Sequence, residues 1–142
     1  MDIRSANLED VIALMSLNSR ALGYSTDEAT TVQALKRVLK QHDILLVAED
    51  HQHVVGYVHA TAYQTLYFAP LLNILGLAVS PEAQHQGIGQ QLMQHLEQLG
   101  KQNGYAGIRL NSNTKRIDAH QFYEHLGYIS NKTQKRFFKA LN

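Results

Sequence analysis

The chain has no cysteine among its 142 residues, which removes thiol nucleophiles, thiolate metal sites and disulfides together. Any thiol chemistry must come from a cofactor. Long apolar runs are missing too. Nothing approaches the roughly 20 residues of a membrane span, and the opening MDIRSANLED carries acids where a signal peptide has a basic and then an apolar stretch. A soluble, cytoplasmic protein with no membrane partner is expected. Charge of one sign is also scarce: the formal charge is +1, with acids and bases interleaved. The electrostatic footprint of a nucleic-acid binder is therefore absent, and no nucleic-acid partner is expected. The one local excess, the tail NKTQKRFFKALN, reads as a solvated strand face. Eight histidines do not add up to a metal motif, because no H-E-x-x-H occurs and His51 and His53 alternate on a turn. No required metal is expected.

What is present suffices for one domain, residues 1–142, burying roughly two-thirds of its unfolded surface. MDIRSA reads as an opening strand. Asn7 with Asp10 three residues on resembles a capping pair, and Leu8, Val11, Ile12, Met15 and Leu22 then keep to one helical face until Gly23. A second helix is predicted from Thr30 to Lys40 on Val32, Leu35, Val38 and Leu39. ILLVAED and VVGYVHATAYQTL, joined by the short HQH, read as a hairpin, and LLNILGLAV as a central strand covered on both faces. Ile88, Leu92, Leu96 and Leu99 form a helical stripe that ends near Asn103 and Gly104. GIRLNS is a strand again, DAHQFYEHL a short helix stopped at Gly127, and KRFFKAL a last strand. The class is α/β (α+β), and a hairpin beside a strand–helix–strand unit makes the sheet mixed.

The stretch VSPEAQHQGIGQQLMQHL, residues 79–96, sets a proline and two close glycines between a strand and a helix. The first N–H groups of a helix lack internal partners and lie at the positive end of its dipole, so a loop exposing them suits an anion such as a phosphate. The Walker pattern fails because Gly87 and Gly89 are too close and no Lys-Ser or Lys-Thr follows. The dinucleotide pattern G-x-G-x-x-G fails at Leu92. What remains is Q-x-x-G-x-G, Gln84 to Gly89, which resembles the pyrophosphate loop of the GNAT superfamily of acetyl-CoA-dependent N-acetyltransferases. A second stretch, RIDAHQFYEHLGY, resembles that family's A-x-x-F/L-Y-x-x-x-G-F/Y helix. Two glycines alone would do no more than turn a chain into a helix; the two motifs at this distance carry the resemblance, and the order of elements extends it over the whole chain.

The resemblance implies a central twisted sheet of six to seven strands flanked by about four helices. It implies transfer of acetyl from acetyl-CoA, the donor substrate, to a primary amine by direct attack in a ternary complex. The coenzyme's pyrophosphate would lie on Gln84, His85, Gln86, Gly87, Ile88, Gly89 and Gln90, with Gly87 and Gly89 letting it approach the backbone. Its pantetheine arm would pair with the main chain of Leu77, Ala78 and Val79 like an added strand, and an N–H of Leu77 or a neighbour would stabilise the oxyanion. Asn111, Arg116 and His120 would complete the coenzyme's contacts. Tyr123 would be the general acid that protonates the departing thiolate; Phe122, about 100° away on the helix, reads as core.

Two departures from the family pattern matter. Many relatives carry a glutamate base on the strand before the loop, where this chain has Leu75 and Gly76 and Asn73 is the only polar residue. Deprotonation of the amine is left to solvent, to His59 or His120, or to the amine's own equilibrium, with solvent preferred. Arg116 stands where many relatives have asparagine; it reads either as a contact to a phosphate or to an acidic group on the substrate, or as a solvated loop residue. NTKRIDAHQFY most resembles the small-molecule branch that includes aminoalkylphosphonate N-acetyltransferase, which implies an amino-acid-like or aminoalkylphosphonate-like acceptor. Acetylation of protein lysines or N-termini, or a non-catalytic acetyl-CoA-binding regulator, are the alternatives, and a homodimer is in keeping with the family.

Overall fold

The computed structural model describes residues 1–142, which divide into two compact units, Met1–Leu110 and Asn111–Asn142. The first contains strand β1 (Asp2–Ser5), a 3-10 turn (Leu8–Asp10), helices α1 (Val11–Leu22) and α2 (Glu28–Lys40), strands β2 (Ile44–Asp50), β3 (His53–Tyr63) and β4 (Leu71–Val79), a 3-10 turn (Pro81–Ala83), helix α3 (Ile88–Gln102) and strand β5 (Ile108–Arg109). The second contains helix α4 (Ile117–His125). The sheet runs in the order β1-β2-β3-β4-β5, antiparallel from β1 to β4 and parallel between β4 and β5. It is mixed, as expected, but has five strands rather than six or seven.

Local chemistry explains most element boundaries. Asn7 and Asp10 close a reciprocal capping box: the Asn7 side chain accepts from the Glu9 N–H, and the Asp10 carboxylate accepts from the Asn7 N–H at 2.9 Å. Gly23, in the left-handed region at φ 78°, ends α1. Asp27 caps α2 through the Thr30 N–H, so the helix begins at Glu28, two residues earlier than expected. In the β2–β3 turn His51 and Gln52 both have positive φ, the backbone twist that a two-residue hairpin needs.

Two layers of helix enclose the sheet. Val11, Leu14 and Leu17 of α1 and Leu35 of α2 pack on Leu45, Val47, Tyr57 and Ala78. On the opposite face Leu92, Met93 and Leu96 of α3 are fully buried. There Gly56 lies against Ile88 and Leu92, and Gly100 against Leu72. Alternation along β3 accounts for this division: Gly56, Val58 and Ala60 point to α3, and Tyr57, His59 and Thr61 point to the α1–α2 side.

Three expectations are corrected. KRFFKAL forms no strand, and Phe137, Phe138 and Leu141 are exposed. GIRLNS shrinks to the two residues of β5. LLNILGLAV is a strand with α1 on one face and α3 on the other, as expected, except at one position: Leu75 is an extra residue between the pairs His59–Gly76 and Ala60–Ile74, and this β-bulge turns its side chain out to 57 % exposure.

Candidate active site

β4 pairs with β5 only at Leu72 and Asn73. From Ile74 to Val79 its edge away from β3 has no strand partner, so the main chain of Leu77, Ala78 and Val79 lies on an open edge of the kind that an extended ligand can join. The strand leads through the 3-10 turn at Pro81–Ala83 into the glycine loop. Gln84 folds back, its Nε2 donating to Val79 O at 3.3 Å, and the Gln86 side chain reaches Glu82 O at 3.5 Å. Glu82 in turn is paired with Arg20 of α1.

The backbone then makes two left-handed steps, at His85 (φ 64°) and Gly87 (φ 81°). Nothing lies within 4 Å of where a Gly87 Cβ would stand, so this glycine serves the backbone conformation rather than internal space. Gly87 is also the N-cap of α3, and it contributes no side-chain cap. The first helical N–H with an internal acceptor is that of Gln91, bonded to Gly87 O at 3.0 Å. The N–H groups of Gln86, Gly87, Ile88, Gly89 and Gln90 have no protein acceptor. Five consecutive free donors at the positive end of a 15-residue helix fit a pyrophosphate.

In the second unit Asn111, which is exposed, opens the stretch that carries Arg116, His120 and Tyr123. Asn113 organises the turn: its side chain accepts from the Lys115 N–H at 2.9 Å, and its carbonyl is bonded by the Arg116 N–H at 3.0 Å and by His120 Nε2 at 2.8 Å. One nitrogen of His120 is thus committed to the turn. Arg116 is the N-cap of α4, and a shallow hollow of about 370 Å³ opens there, lined by Lys115, Arg116, Ile117, Asp118 and Ala119. Close by, the Ser112 hydroxyl is buried without a partner.

Tyr123 lies edge-on to Phe122 at 5.1 Å and to Tyr128 at 5.9 Å. Phe122 is half-buried, and α4 has no fully buried residue, so the expected core role of Phe122 reduces to walling the tyrosine. The Tyr123 hydroxyl makes no hydrogen bond within the protein. Burial pushes its pKa up and the nearby Arg116 charge pulls it partly back. The phenol therefore stays protonated at neutral pH, as a proton donor requires.

The α1–α2 face of the sheet holds polar residues that sequence reasoning did not bring together. His59 Nε2 is 2.9 Å from Asp43 Oδ2, and Thr61 Oγ1 donates to Asp43 Oδ1 at 2.8 Å. The Tyr57 hydroxyl donates to Asn18 Oδ1 at 2.5 Å and stands 3.1 Å from where a Gly76 Cβ would be; burial pushes its pKa up to about 12. Arg109 donates to Asn73 Oδ1 at 2.6 Å and lies 4.4 Å over the Tyr63 ring. Hairpin register was the signal that could have found the first cluster. Ile44 pairs with Ala60, so Asp43 falls opposite Thr61. One other histidine stands near an acid, His51 at 3.9 Å from Asp50, and no three His, Asp or Glu side chains form a group that could hold a metal ion. No helix is long and apolar enough to cross a membrane.

A family model for the acetyltransferase (GNAT) domain matches residues 41–130. The chain belongs to the GNAT acetyltransferase family. The aminoalkylphosphonate N-acetyltransferase of Salmonella typhimurium (strain LT2) is 30 % identical over 142 residues, covering 99 % of this chain and 91 % of that protein. Among solved structures, a transcriptional regulator from Bacillus halodurans C-125 is similar at 27 % identity and TM-score 0.84, covering 96 % of this chain and 99 % of that one. AAC(6')-Iy in complex with the bisubstrate analog CoA-S-monomethyl-acetylneamine superposes at TM-score 0.85 and 16 % identity, covering 99 % and 98 %, which is a likeness of fold. This GNAT enzyme is accordingly an acyltransferase, and its family takes acetyl from acetyl-CoA.

Proposed function

We propose that this GNAT enzyme acetylates the primary amine of a small cytoplasmic molecule, amino-acid-like or aminoalkylphosphonate-like, by direct attack in a ternary complex with acetyl-CoA. The observation that carries the reading is the row of free N–H groups from Gln86 to Gln90, set immediately after the open edge of β4. Together they offer a pyrophosphate cradle and a main-chain track for an amide-bearing arm. The small-molecule choice rests on the 30 % identical aminoalkylphosphonate N-acetyltransferase. The positive hollow at Lys115 and Arg116 suits an anionic group, either a phosphate of the coenzyme or the acid of the acceptor.

Acetyl-CoA, when bound, supplies an activated acetyl thioester. The chain's own residues do the rest. The loop from Gln84 to Gln90 holds the pyrophosphate, and the main chain of Leu77 to Val79 aligns the arm, with an N–H of Leu77 or a neighbour donating to the thioester oxygen as it gains charge. Asn111, Arg116 and His120 border the coenzyme, and Tyr123 gives its proton to the leaving sulfur. Release of free thiol from acetyl-CoA, measured over a panel of amino acids, aminoalkylphosphonates, polyamines, aminoglycosides and short peptides, tests the reading. Turnover of peptides alone would move the assignment to protein acetylation. Tight acetyl-CoA binding without turnover of any amine would favour a regulator, the reading that the similar Bacillus protein suggests.

A further inference from the structure

We propose that His59, oriented by Asp43, is the base that takes the proton from the acceptor's ammonium group. The inference rests on the transferase reading above and fills the place left by the absent carboxylate on β4. His59 on β3 pairs with Gly76, the residue directly after the Leu75 bulge and within the stretch where β4 has left β5. The side chain at position 76 is a single hydrogen, so nothing on β4 covers the imidazole from that position. His59 is 18 % exposed and Asp43 only 7 %: the histidine reaches solvent and its carboxylate does not.

Both carboxylate oxygens of Asp43 are engaged, one by His59 Nε2 and the other by the Thr61 hydroxyl. An ionised Asp43 fixes the proton on Nε2, and Nδ1, which no protein group bonds, is left as the acceptor. The titratable groups on this face are Asp43 from the turn after α2, Tyr57 and Tyr63 on β3, and Arg109 on β5. The residues of β4 on this side, Leu71, Asn73, Gly76 and Ala78, carry no charge, and from β2 the cross-strand partner is Leu45. Arg109 is turned onto Asn73 and the Tyr63 ring, and Tyr57 onto Asn18. Asp43 is the charged group that touches the imidazole.

The protons balance as follows. The ammonium N–H bond breaks and Nδ1–H forms, leaving the nitrogen lone pair free to make the C–N bond to the acetyl carbonyl. As the C–S bond breaks, the sulfur takes the Tyr123 proton. The second nitrogen proton returns to the Tyr123 oxygen, and His59 gives its proton to water.

The test is kcat/KM from pH 6 to 10 with an aminoalkylphosphonate and its fluorinated analogue, whose ammonium is more acidic, in the wild type and in His59→Gln. The glutamine amide can still donate to Asp43, which keeps the local hydrogen bond. The wild type should rise through one inflection that stays at the same pH whichever acceptor is used. His59→Gln should lose about 10²-fold or more at pH 7, recover to within threefold above the acceptor's pKa, and bind acetyl-CoA as the wild type does. Added imidazole should partly restore His59→Ala, which a merely structural histidine would not allow. Asp43→Asn should lower kcat about tenfold with the KM for acetyl-CoA unchanged. An inflection that follows the acceptor's pKa, with His59→Gln within threefold of wild type at pH 7, overturns the base and leaves the transferase standing. Failure to turn over any amine overturns the transferase reading and this proposal with it.

Discussion

Gly56→Ala tests how closely the glycine loop is held to the sheet. Gly56 lies on β3 facing α3, and a Cβ there would stand 3.0 Å from Ala78 O, 3.2 Å from Ile88 Cγ2 and 3.3 Å from Leu92 Cδ1. The first is backbone of β4 and cannot rotate away; the other two belong to the first turns of the helix whose free N–H groups follow the loop. Overpacking of this kind costs about 1–3 kcal/mol, and the reduced freedom of the unfolded chain returns at most about 1 kcal/mol. The net loss should be about 1–2 kcal/mol, or about 4–8 °C in Tm at roughly 4 °C per kcal/mol for a domain of this size. Relief comes from α3 sliding outward, so the KM for acetyl-CoA should rise several-fold while kcat changes less. Gly100→Ala is the control. Its Cβ meets only Leu72 Cδ1, at 3.3 Å, and the helix propensity gain of about 1 kcal/mol offsets that contact. Thermal melts and acetyl-CoA titrations of both variants read the effect. Equal melting temperatures for the two, or a Gly56→Ala protein with unaltered acetyl-CoA affinity, would refute the close packing of loop, helix and strand.

Gly89→Val should raise the KM for acetyl-CoA at least tenfold with a smaller effect on Tm, because a β-branched side chain would stand among the free N–H groups; unchanged binding in a folded variant would contradict the loop assignment. Tyr123→Phe should keep acetyl-CoA binding and lower kcat by about 10²–10⁴, and a loss under about threefold would remove the tyrosine from proton transfer. Asp10 is buried, and its bonds from Arg4 at 2.9 Å hold its pKa below the ordinary 3.8. Its stabilisation should be complete above that value and be lost as pH falls below it, so Asp10→Asn should cost about 2 kcal/mol at pH 7 and flatten the acid limb of urea midpoints measured from pH 7 to 3. Burial raises Tyr57 to about 12, so its contribution is whole below pH 10 and fades as pH climbs toward 12; Tyr57→Phe should remove that alkaline slope from urea midpoints measured from about pH 9 to 12.

Features written in neighbouring residues were legible without a structure. The Asn7–Asp10 box, the Gly23 stop, the HQH turn and the glycine loop are each decided by a few consecutive backbone groups. KRFFKAL failed for a different reason. Its composition satisfies a strand, but a strand exists only where a second edge bonds to it, and no ladder includes any residue beyond Arg109. The Asp43–His59 pair was hidden because its members are 16 residues apart, joined only by hairpin register. His59 stood out in the sequence, whereas the carboxylate that orients it carried no local mark. Leu75 was misread because a run that is apolar at nearly every position has no internal sign of a bulge.

That one extra residue explains why the site lies where it does. Without it, Asn73 and Gly76, three positions apart, would point to opposite faces of the sheet. With Leu75 extruded, both pair across to the same side of β3, Asn73 with Thr61 and Gly76 with His59. The shift also sends Ala78 into the core beneath α1 and α2 while Leu72 and Ile74 remain on the α3 side. A regular strand would have to give up one set or the other. Bulges raise local twist and bend the strand, and β4 leaves β5 immediately before this one, at Asn73. A single inserted residue therefore goes with three features: the open edge of β4, the partly exposed imidazole opposite Gly76, and the bare position at Gly76 that the Tyr57 hydroxyl overlies. A side chain at position 76 would crowd that hydroxyl, 3.1 Å from the Cβ it would need, and would have to displace it by a few tenths of an ångström. With leucine and glycine at 75 and 76, the polar side chains beside this bend come from β3, Tyr57 and His59, rather than from β4.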